Sequence, residues 1–327
     1  MNDDGMTPSN SASGADAKMK AIVYHRYGGS EVLGLADVAP PKMHVDSVLV
    51  RVHAAAVNPA DLAMRAGHGD ATVPTYFPVI PGWDIAGVVE QVGIGVSEFK
   101  PGDEVIGYVR TSVAHQHGGY AEQVSTEPQA LAPKPVHLSW EQAATIPLTG
   151  LTAYQAVVRA LDVQAGTKLL VYGAAGGVGS TAVQIAIARG ATVIGVDADD
   201  RAEMLRGLGA HPVSDAGPAL ERIAALAPNG VDAVFDTVGQ GTVSAVADAV
   251  GHPATRYASV VDFADDRTTP VLARLVSEDL HAVAKLAAQG HLSPQVGVVF
   301  PLGAAADAHE LAATRHGKGR IVLRMIP

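Results

Sequence analysis

The segment at residues 171–180 carries the strongest chemical signal in the sequence; it reads Val-Tyr-Gly-Ala-Ala-Gly-Gly-Val-Gly-Ser. A β-branched apolar run leads into it, and a helical pattern leads out. Glycine permits a tight turn and lets the backbone approach a phosphate closely. The helix that follows offers unpaired N–H groups and a positive dipole end to a pyrophosphate. The predicted dinucleotide-binding residues here are Gly176, Gly177, Val178 and Gly179. The alternative is a glycine turn used only for helix–sheet packing.

An acidic residue follows this loop at the spacing that a dinucleotide site requires. Asp197 comes 21 residues after Gly176, at the end of the next predicted strand. A carboxylate there can accept hydrogen bonds from both ribose hydroxyls of NAD and would repel the 2′-phosphate of NADP. Arg201 is the nearby cation that could bind a phosphate. The sequence therefore predicts an NAD(P)H cofactor, with NADH favoured over NADPH. The alternative is that acidic residues 197–200 form a solvated helix start.

Two further strand ends are predicted to face the cofactor. The segment Asp-Thr-Val-Gly at 236–239 closes one strand, and Ser-Val-Val at 259–261 closes another. Ligands bind at the carboxyl ends of strands in open α/β sheets. Val238, Gly239 and Ser259 are therefore cofactor-binding candidates, with ordinary strand termination as the alternative.

The elements that must position these residues change in kind along the chain. Residues 19–143 show short strands separated by Gly and Pro turns, which is typical of a small barrel. From about residue 140, strands alternate with helices, which predicts βαβ units and a doubly wound parallel sheet. Strands at 295–301 and 320–326, with a helix at 304–313 between them, predict a return to the barrel. We expect helices at 140–146 and 152–161, and a strand at 118–124.

Composition excludes several classes of protein. The chain has 327 residues, enough for about two average domains, and it contains no cysteine. Disulfide scaffolds, thiolate zinc sites and cysteine nucleophiles are therefore ruled out. The net charge of −10 argues against a nucleic-acid or anionic-membrane partner.

The chain ends and hydropathy point to one compartment. No apolar run approaches the length of about 18 residues that a membrane span needs. Residues 1–18 lack the basic and apolar regions of a secretory signal and predict a disordered leader. We therefore expect a cytoplasmic protein.

Several ordered motifs together point to one protein family. They are Val-Asn-Pro-Ala-Asp at 57–61, Pro-Gly-Trp-Asp-Ile-Ala-Gly at 81–87, Lys-Pro-Gly-Asp-Glu-Val at 100–105, Gly-Leu-Thr-Ala-Tyr at 150–154, the glycine loop, and Gly-Lys-Gly-Arg at 317–320. In this order and spacing they resemble the medium-chain dehydrogenase/reductase superfamily, and most of all its zinc-free quinone oxidoreductase branch. The match at 317–320 adds Lys318 and Gly319 to the cofactor-binding candidates.

The resemblance implies an α/β architecture with two domains. A GroES-like β-barrel catalytic domain would comprise residues 19–145 and 289–327. A Rossmann dinucleotide-binding domain, with its doubly wound parallel sheet, would comprise residues 146–288. The active site would lie in the cleft between them. A homodimer, formed by pairing the last Rossmann strands, is also implied.

The resemblance also suggests catalytic residues. It places Asn58 at the cleft beside the nicotinamide, where its amide could stabilise negative charge on a substrate carbonyl oxygen. Tyr108 could donate a hydrogen bond or a proton, and Thr152 would contact the nicotinamide carboxamide. The alternatives are a turn residue before Pro59 for Asn58 and a core or rim position for Tyr108.

No metal site is predicted. The zinc enzymes of the superfamily use a cysteine and a Gly-His-Glu segment, whereas this chain has Gly-Trp-Asp at 82–84 and no cysteine. His115 and His117 could in principle chelate a metal, but a solvated loop is the favoured interpretation of this segment.

The function implied is hydride transfer from a reduced nicotinamide to a small hydrophobic carbonyl compound, a quinone, an enone or another activated alkene. A discrete enoyl reductase acting on carrier-bound or CoA-bound chains is an alternative. It would need a basic patch at the cleft mouth, and the candidates Arg51, Arg65, Arg110 and Lys134 are scattered. A dinucleotide-binding protein without catalysis is the third possibility.

Overall fold

The structure is a computed structural model that describes residues 18–70, 73–110, 117–314 and 319–325. The expected leader, apart from Lys18, lies outside the described residues, as do His115 and Lys318.

The first half of the chain builds most of a barrel-like sheet. Its elements are β1 (Met19–Val23), β2 (Gly34–Val38), β3 (Val48–Val57), α1 (Pro59–Ala66), β4 (Asp84–Val92), β5 (Glu104–Tyr108), β6 (Gln123–Thr126) and β7 (Leu131–Pro133). Two more strands of the same sheet, β14 (Val296–Pro301) and β15 (Arg320–Arg324), come from the end of the chain. The sheet has seven strands in the order β14-β15-β3-β4-β5-β7, with β6 paired to β3, and β1 and β2 form a separate hairpin.

Strand β3 shows why this sequence forms a sheet with one buried face. Val48, Val50 and Val52 are fully buried, while the residues between them are half-exposed. A period of two puts alternate side chains on opposite faces of a strand. The second half of β3, from Ala54 onward, is buried throughout because the sheet is covered there on both sides.

The central part of the chain forms an α/β unit. Its elements are α2 (Trp140–Ala144), α3 (Pro147–Tyr154), a π-helical turn (Gln155–Ala160), β8 (Lys168–Tyr172), α4 (Gly177–Ala188), β9 (Thr192–Asp197), α5 (Ala202–Gly207), β10 (His211–Ser214), α6 (Ala219–Leu226), β11 (Ala233–Asp236), α7 (Thr242–Val250), β12 (Arg256–Ser259), β13 (Thr268–Pro270) and α8 (Ser277–Ala288). The six strands are parallel in the order β10-β9-β8-β11-β12-β13. This order reverses between β8 and β11, and a ligand crevice forms at such a reversal.

The chain then returns to the first sheet. Strand β15 pairs antiparallel with β3, and β14 pairs parallel with β15. Helix α9 (Ala305–Thr314) connects β14 and β15. The predicted combination of a small barrel with a doubly wound parallel sheet is confirmed.

Two predicted elements differ in place or kind, and one helix of the structure was not predicted. The helix expected at 152–161 begins at Pro147 and turns into the π-helical turn after Tyr154. The strand expected at 118–124 is Gln123–Thr126. Helix α1 was not predicted, because Asn58 before Pro59 also fits a turn. In the structure Asn58 is the N-cap, and Pro59 occupies the first turn, where no N–H is required.

One apolar core joins the two units. It includes Ala54, Ala86 and Ile106 of the barrel together with Leu151 and Val171 of the α/β unit, all fully buried. The two units are therefore packed against each other along the crevice side. In the part of the chain that the structure describes, no helix is both long and apolar enough to cross a membrane.

Candidate functional site

The glycine loop joins β8 to α4, as the sequence predicts. Gly173 has a φ of +71°, in the left-handed region that favours glycine. Gly176 is the extended N-cap of α4 and has no side chain to cap it, so the first N–H groups of the helix have no partner within the helix. A Cβ at Gly179 would collide with the carbonyl oxygen of Gly173. The loop therefore depends on glycine for its shape as well as for access to its backbone.

Asp197 lies at the carboxyl end of β9, beside this loop. Its Oδ2 accepts a hydrogen bond from the Ala175 N–H at 2.8 Å, and its Oδ1 accepts one from the Ala198 N–H at 2.9 Å. The carboxylate thus anchors the loop and stays half-exposed at its edge. Arg201 is close, but its Nε lies 3.4 Å from Asp200 Oδ1. The cation that could bind a 2′-phosphate already has a carboxylate neighbour.

The two other predicted strand ends are tied together by a residue that sequence reasoning missed. Asp236, at the end of β11, is fully buried. Its Oδ1 accepts the N–H groups of Val238 at 2.9 Å and Gly239 at 3.0 Å, and its Oδ2 accepts the Ser259 hydroxyl at 2.8 Å. The Ser259 side chain therefore shapes the rim of the crevice, while Val238 is 47% exposed on it. The signal for Asp236 was its place at a strand end before Gly239.

On the barrel side, Asn58 belongs to a buried polar cluster. It caps α1 in a reciprocal arrangement with Asp61, whose Oδ2 accepts the Asn58 N–H at 2.8 Å. The Asn58 amide Nδ2 donates to Asp84 Oδ2 at 3.0 Å. Its Oδ1 accepts a hydrogen bond from Arg320 Nη2. Asn58 is fully buried, and these contacts fix the orientation of its amide.

Asp84 and Arg320 connect this cluster to the α/β unit. Asp84 Oδ1 accepts the Leu148 N–H at 2.8 Å, so a barrel carboxylate caps the N-terminus of α3. Arg320, at the start of β15, lies against the glycine loop. A Cβ at Gly177 would be 2.6 Å from Arg320 Nη1. The structure thus brings Asn58, Asp84 and Arg320 together beside the N-terminus of α4.

The electrostatics of the cluster are those of charges held out of water. Burial raises the pKa of Asp61 to about 7 and the pKa of Asp84 to about 7, and the nearby Arg320 opposes both shifts. Burial also lowers the pKa of Arg320, and the two carboxylates oppose that shift. Within the described residues, Arg320 Nε and Asp61 Oδ1 are buried without a hydrogen-bond partner. A cation with an unpaired N–H beside a helix N-terminus favours negative charge at this place.

A second buried chain of hydrogen bonds runs from Asp61 away from the crevice. The Tyr120 hydroxyl lies 3.5 Å from Asp61 Oδ2 and 3.2 Å from His309 Nε2. Arg65 Nη1 lies 3.1 Å from His309 Nδ1. Burial and the adjacent Arg65 guanidinium lower the pKa of His309 to about 3, so the imidazole is neutral and accepts from Arg65. These contacts make Asp61 part of the scaffold that holds α1.

Tyr108 points across the crevice rather than into the cluster. It is 1% exposed, and its hydroxyl lies 3.4 Å from the carbonyl oxygen of Ala273, in the segment after β13. Its ring meets Trp83 edge to face at 6.3 Å. Burial is the main cause that raises the pKa of Tyr108 to about 12. Its hydroxyl therefore stays protonated at neutral pH, and its one proton is directed at the carbonyl oxygen of Ala273.

Thr152 and Gly319 are placed by backbone geometry. The Thr152 hydroxyl donates to the Leu148 carbonyl oxygen at 2.7 Å within α3, which leaves its oxygen free to accept. Gly319 has a φ of +92° and lies against the backbone of Gly297, where a Cβ would be 2.7 Å from the Gly297 nitrogen. Its observed contacts are with β14, and Arg320 beside it makes the contact with the glycine loop.

In residues 18–70, 73–110, 117–314 and 319–325, no three His, Asp or Glu side chains are grouped to hold a metal ion.

Comparisons with known proteins agree with this geometry. The family model described as alcohol dehydrogenase GroES-like domain matches residues 44–136, and the one described as zinc-binding dehydrogenase matches residues 177–260. An Arabidopsis thaliana protein named NADPH-dependent alkenal/one oxidoreductase, chloroplastic, is 35% identical over 321 residues, which cover 95% of this chain and 80% of that protein. A Sus scrofa quinone oxidoreductase is 32% identical over 330 residues, covering 93% of this chain and 97% of that protein. The solved structure of the quinone oxidoreductase from Coxiella burnetii is 30% identical, with a TM-score of 0.83 over 95% of this chain and 100% of that one.

Proposed function

Because the chain belongs to the medium-chain dehydrogenase/reductase superfamily, in its quinone oxidoreductase branch, we propose that it transfers hydride from NAD(P)H to a quinone, an enone or another activated alkene. One observation supports this proposal beyond family membership. Arg320, which donates to Asn58 in the barrel, meets the glycine loop at the point where the order of the parallel sheet reverses. A site of this kind suits a dinucleotide whose nicotinamide extends toward the barrel.

The described residues fit a dinucleotide. The N-terminus of α4 offers backbone N–H groups at Gly177, Val178 and Gly179, and the orphaned Nε of Arg320 lies beside them. Both groups favour the negative charge of a pyrophosphate. Val238, Gly239 and Ser259 form the rim along which the nicotinamide half would lie. Lys318 remains a proposed contact outside the described residues.

When bound, the reduced nicotinamide supplies a hydride, which adds to the electron-poor carbon of the substrate. The electron pair of the reduced double bond then moves to the carbonyl oxygen, and a proton completes the product. We propose that Asn58, whose amide is oriented by Asp84 and Arg320, stabilises that developing negative charge. Tyr108 would donate a hydrogen bond nearby, and Thr152 would accept one from the nicotinamide carboxamide. We propose that no metal takes part, because the chain has no cysteine and has Trp83-Asp84 in the family's zinc-binding segment.

We propose that NADH is preferred over NADPH. Asp197 keeps a half-exposed carboxylate at the end of β9, followed by the exposed Asp199 and Asp200. This negative charge would repel a 2′-phosphate, and Arg201 is already near Asp200. The Arabidopsis relative is named for NADPH, so the preference rests on these residues of this chain alone.

The experiment that tests the function is a binding titration with NADH and NADPH, followed by the loss of NADH absorbance after adding a small quinone. We expect tighter binding of NADH and turnover with the quinone. Equal or tighter binding of NADPH would contradict the role of Asp197. Tight binding without turnover of any quinone or enone would contradict the activity and favour a non-catalytic dinucleotide-binding protein.

The remaining proposals concern assembly and location. Strand β13 is an edge strand of the parallel sheet, and Val261, Phe263 and Leu272 near it are each about half exposed. We propose that two copies of the chain form a homodimer through this edge. We also propose that the protein is cytoplasmic, and that its domains are divided between residues 145 and 146 and between residues 288 and 289. Sedimentation of the wild-type protein and of Leu272→Lys tests the dimer, since a lysine on that edge should disfavour pairing.

A further inference from the structure

Four basic side chains were candidates for recognising an anionic substrate, and the structure leaves one of them at the crevice. Arg51 Nε lies 3.0 Å from Glu90 Oε1, and Lys134 Nζ lies 3.1 Å from Glu104 Oε2. Arg65 is buried against His309. Arg110, which follows β5, instead reaches the α/β unit.

The position of the Arg110 guanidinium is fixed from two sides. Its Nη1 donates to the carbonyl oxygen of Ala273 at 3.2 Å. Its Cζ lies 5.5 Å from the centre of the Trp83 ring, in cation–π contact. A guanidinium held by a hydrogen bond and by an aromatic face loses little further freedom when it binds a ligand.

The segment that contains Ala273 is itself held firmly. Gln155, the first residue of the π-helical turn, uses its amide on both backbone groups of Arg274. Its Nε2 donates to the Arg274 carbonyl oxygen at 2.9 Å, and its Oε1 accepts the Arg274 N–H at 3.0 Å. Gln155 also donates to the buried carboxylate of Asp279 at 3.2 Å. The oxygen that orients Arg110 is thus fixed to the core of the α/β unit.

Arg110 keeps donors for a ligand. A guanidinium has five N–H donors in a planar fork; the carbonyl oxygen of Ala273 accepts from one of them and the Tyr108 hydroxyl from another, which leaves the others for a ligand. In the described part of the chain, no carboxylate lies within ion-pair distance of Arg110, whereas Arg159, Arg267 and Arg324 each have one. A carboxylate matches such a fork with two parallel hydrogen bonds.

The location suits the substrate rather than the cofactor phosphates. Ala273 follows the carboxyl end of β13, on the edge of the sheet where ligands bind. Trp83 is next in the chain to Asp84, which holds Asn58. Arg110 therefore lies on the side of the crevice that Trp83 and Tyr108 line, while Arg320 serves the glycine loop.

We propose that Arg110 binds a carboxylate of the substrate, so that this enzyme prefers quinones or enones that carry a carboxylate group remote from the reacting double bond. Trp83 would pack against the conjugated part of the same molecule. This proposal rests on the proposed hydride transfer and adds a substrate class to it.

The test uses two matched substrates, a 1,4-naphthoquinone with a carboxyethyl side chain and its methyl ester. The two methylene groups isolate the carboxylate electronically, so both quinones should accept hydride equally well. The wild-type enzyme should show a higher kcat/KM for the acid, mainly through KM. In Arg110→Gln the acid-to-ester ratio of kcat/KM should fall by about 10-fold or more, as expected for a lost charge-assisted hydrogen bond. Arg110→Lys, which keeps the charge without the fork, should restore part of the ratio.

Arg189→Gln is the matched control, because Arg189 also bonds a backbone carbonyl oxygen but lies at the far end of α4 from the glycine loop. It should leave the acid-to-ester ratio as in the wild type. Equal losses for acid and ester in Arg110→Gln would overturn the proposal and leave Arg110 as a contact between the two units. A wild-type enzyme that turns over both quinones without preferring the acid would also overturn it, and would leave the proposed function standing.

A phosphate-bearing carrier is the competing source of negative charge. An enoyl-CoA thioester carries the phosphate charges of CoA, whereas the thioester of the same acyl group with N-acetylcysteamine carries none. A loss in Arg110→Gln confined to the CoA thioester would overturn the carboxylate assignment in favour of a carrier. Failure of the wild-type enzyme on every quinone, enone and thioester would count against the proposed function itself.

Discussion

The two faces of the crevice are built in opposite ways. The glycine loop acts through backbone groups, and the close approach that requires glycine joins two residues of the loop itself, Gly173 and Gly179. The barrel face acts through charged and polar side chains, and Asn58, Asp84 and Arg320 come from three separate parts of the chain. The glycine loop has no space for an added side-chain atom, whereas the barrel face is destabilised when one of its charges is removed.

This contrast predicts which kind of substitution should destabilise each face. A Cβ added to the loop meets backbone that cannot move away without unfolding β8 or α4. Removal of a charge from the barrel face leaves its partners buried and uncompensated, which is costly. The following substitutions break or sharpen the contrast, beginning with the one expected to do the most damage.

Gly179→Ala should have the largest effect. The added Cβ would overlap the Gly173 carbonyl oxygen, so α4 must move or the loop must open. We expect NADH binding to be lost and the melting temperature to fall by several degrees, measured by titration and calorimetry. Gly207→Ala is the control, because a Cβ at Gly207 meets nothing within 4 Å. Retained NADH binding in Gly179→Ala would contradict the role of the loop.

Arg320→Met should come next. It leaves the Asn58 amide oxygen without its donor, brings two carboxyl groups together without their cation, and removes a ligand for the pyrophosphate. We expect a loss of about 3 kcal/mol in the free energy of unfolding and NADH binding weakened by about 10-fold or more. Urea unfolding and fluorescence titration measure the two. Arg324→Ala, on the same strand but half-exposed beside Glu141, should cost about 1 kcal/mol or less.

Asp61→Asn should change how stability depends on pH. The pKa of Asp61 is raised from 3.8 to about 7, so the folded state binds a proton more tightly than the unfolded chain. The stability due to this proton is fully present below pH 3.8 and is lost as the pH rises through about 7. Asparagine cannot titrate, and its Oδ1 can still accept from the Asn58 N–H.

The variant should therefore lose less stability than the wild type as the pH rises from 3.8 to about 7, the window between the ordinary and the raised pKa of Asp61. Urea unfolding across this range measures the slope. Asp46→Asn, at an exposed turn of the same barrel, serves as the control and should keep the wild-type slope. A wild-type slope in Asp61→Asn would show that Asp61 is ionised throughout.

Thr152→Val should have the smallest effect. Its hydroxyl donates only within α3, to Leu148, so we expect a stability change within about 0.5 kcal/mol. If the Thr152 oxygen accepts from the nicotinamide carboxamide, KM for NADH should rise by about 3-fold. Thr152→Ser retains the hydroxyl and should match the wild type. An unchanged KM in Thr152→Val would remove Thr152 from the cofactor site.

The sequence by itself predicted the glycine loop, the acidic residue at the end of β9 and the alternation of strands and helices. These features are local: a turn that needs glycine, a carboxylate at a fixed spacing and a hydrophobic period are all visible in consecutive residues. The family resemblance rests on the same kind of signal, and the comparisons confirm it. Helix α1 was not predicted, because the local sequence at Asn58-Pro59 fits a turn and a helix start equally well.

Only the tertiary structure decided the partners of the buried side chains. The local sequence around Asp84 does not indicate that this barrel residue caps helix α3 of the α/β unit. The sequence around Arg320 does not indicate that its side chain contacts Asn58 and Gly177. The same holds for Arg110, whose neighbours Trp83 and Ala273 are 27 and 163 residues away in the chain. Backbone conformation follows from short stretches of sequence, whereas a buried charge is satisfied by whichever distant group the folded chain brings within hydrogen-bond distance.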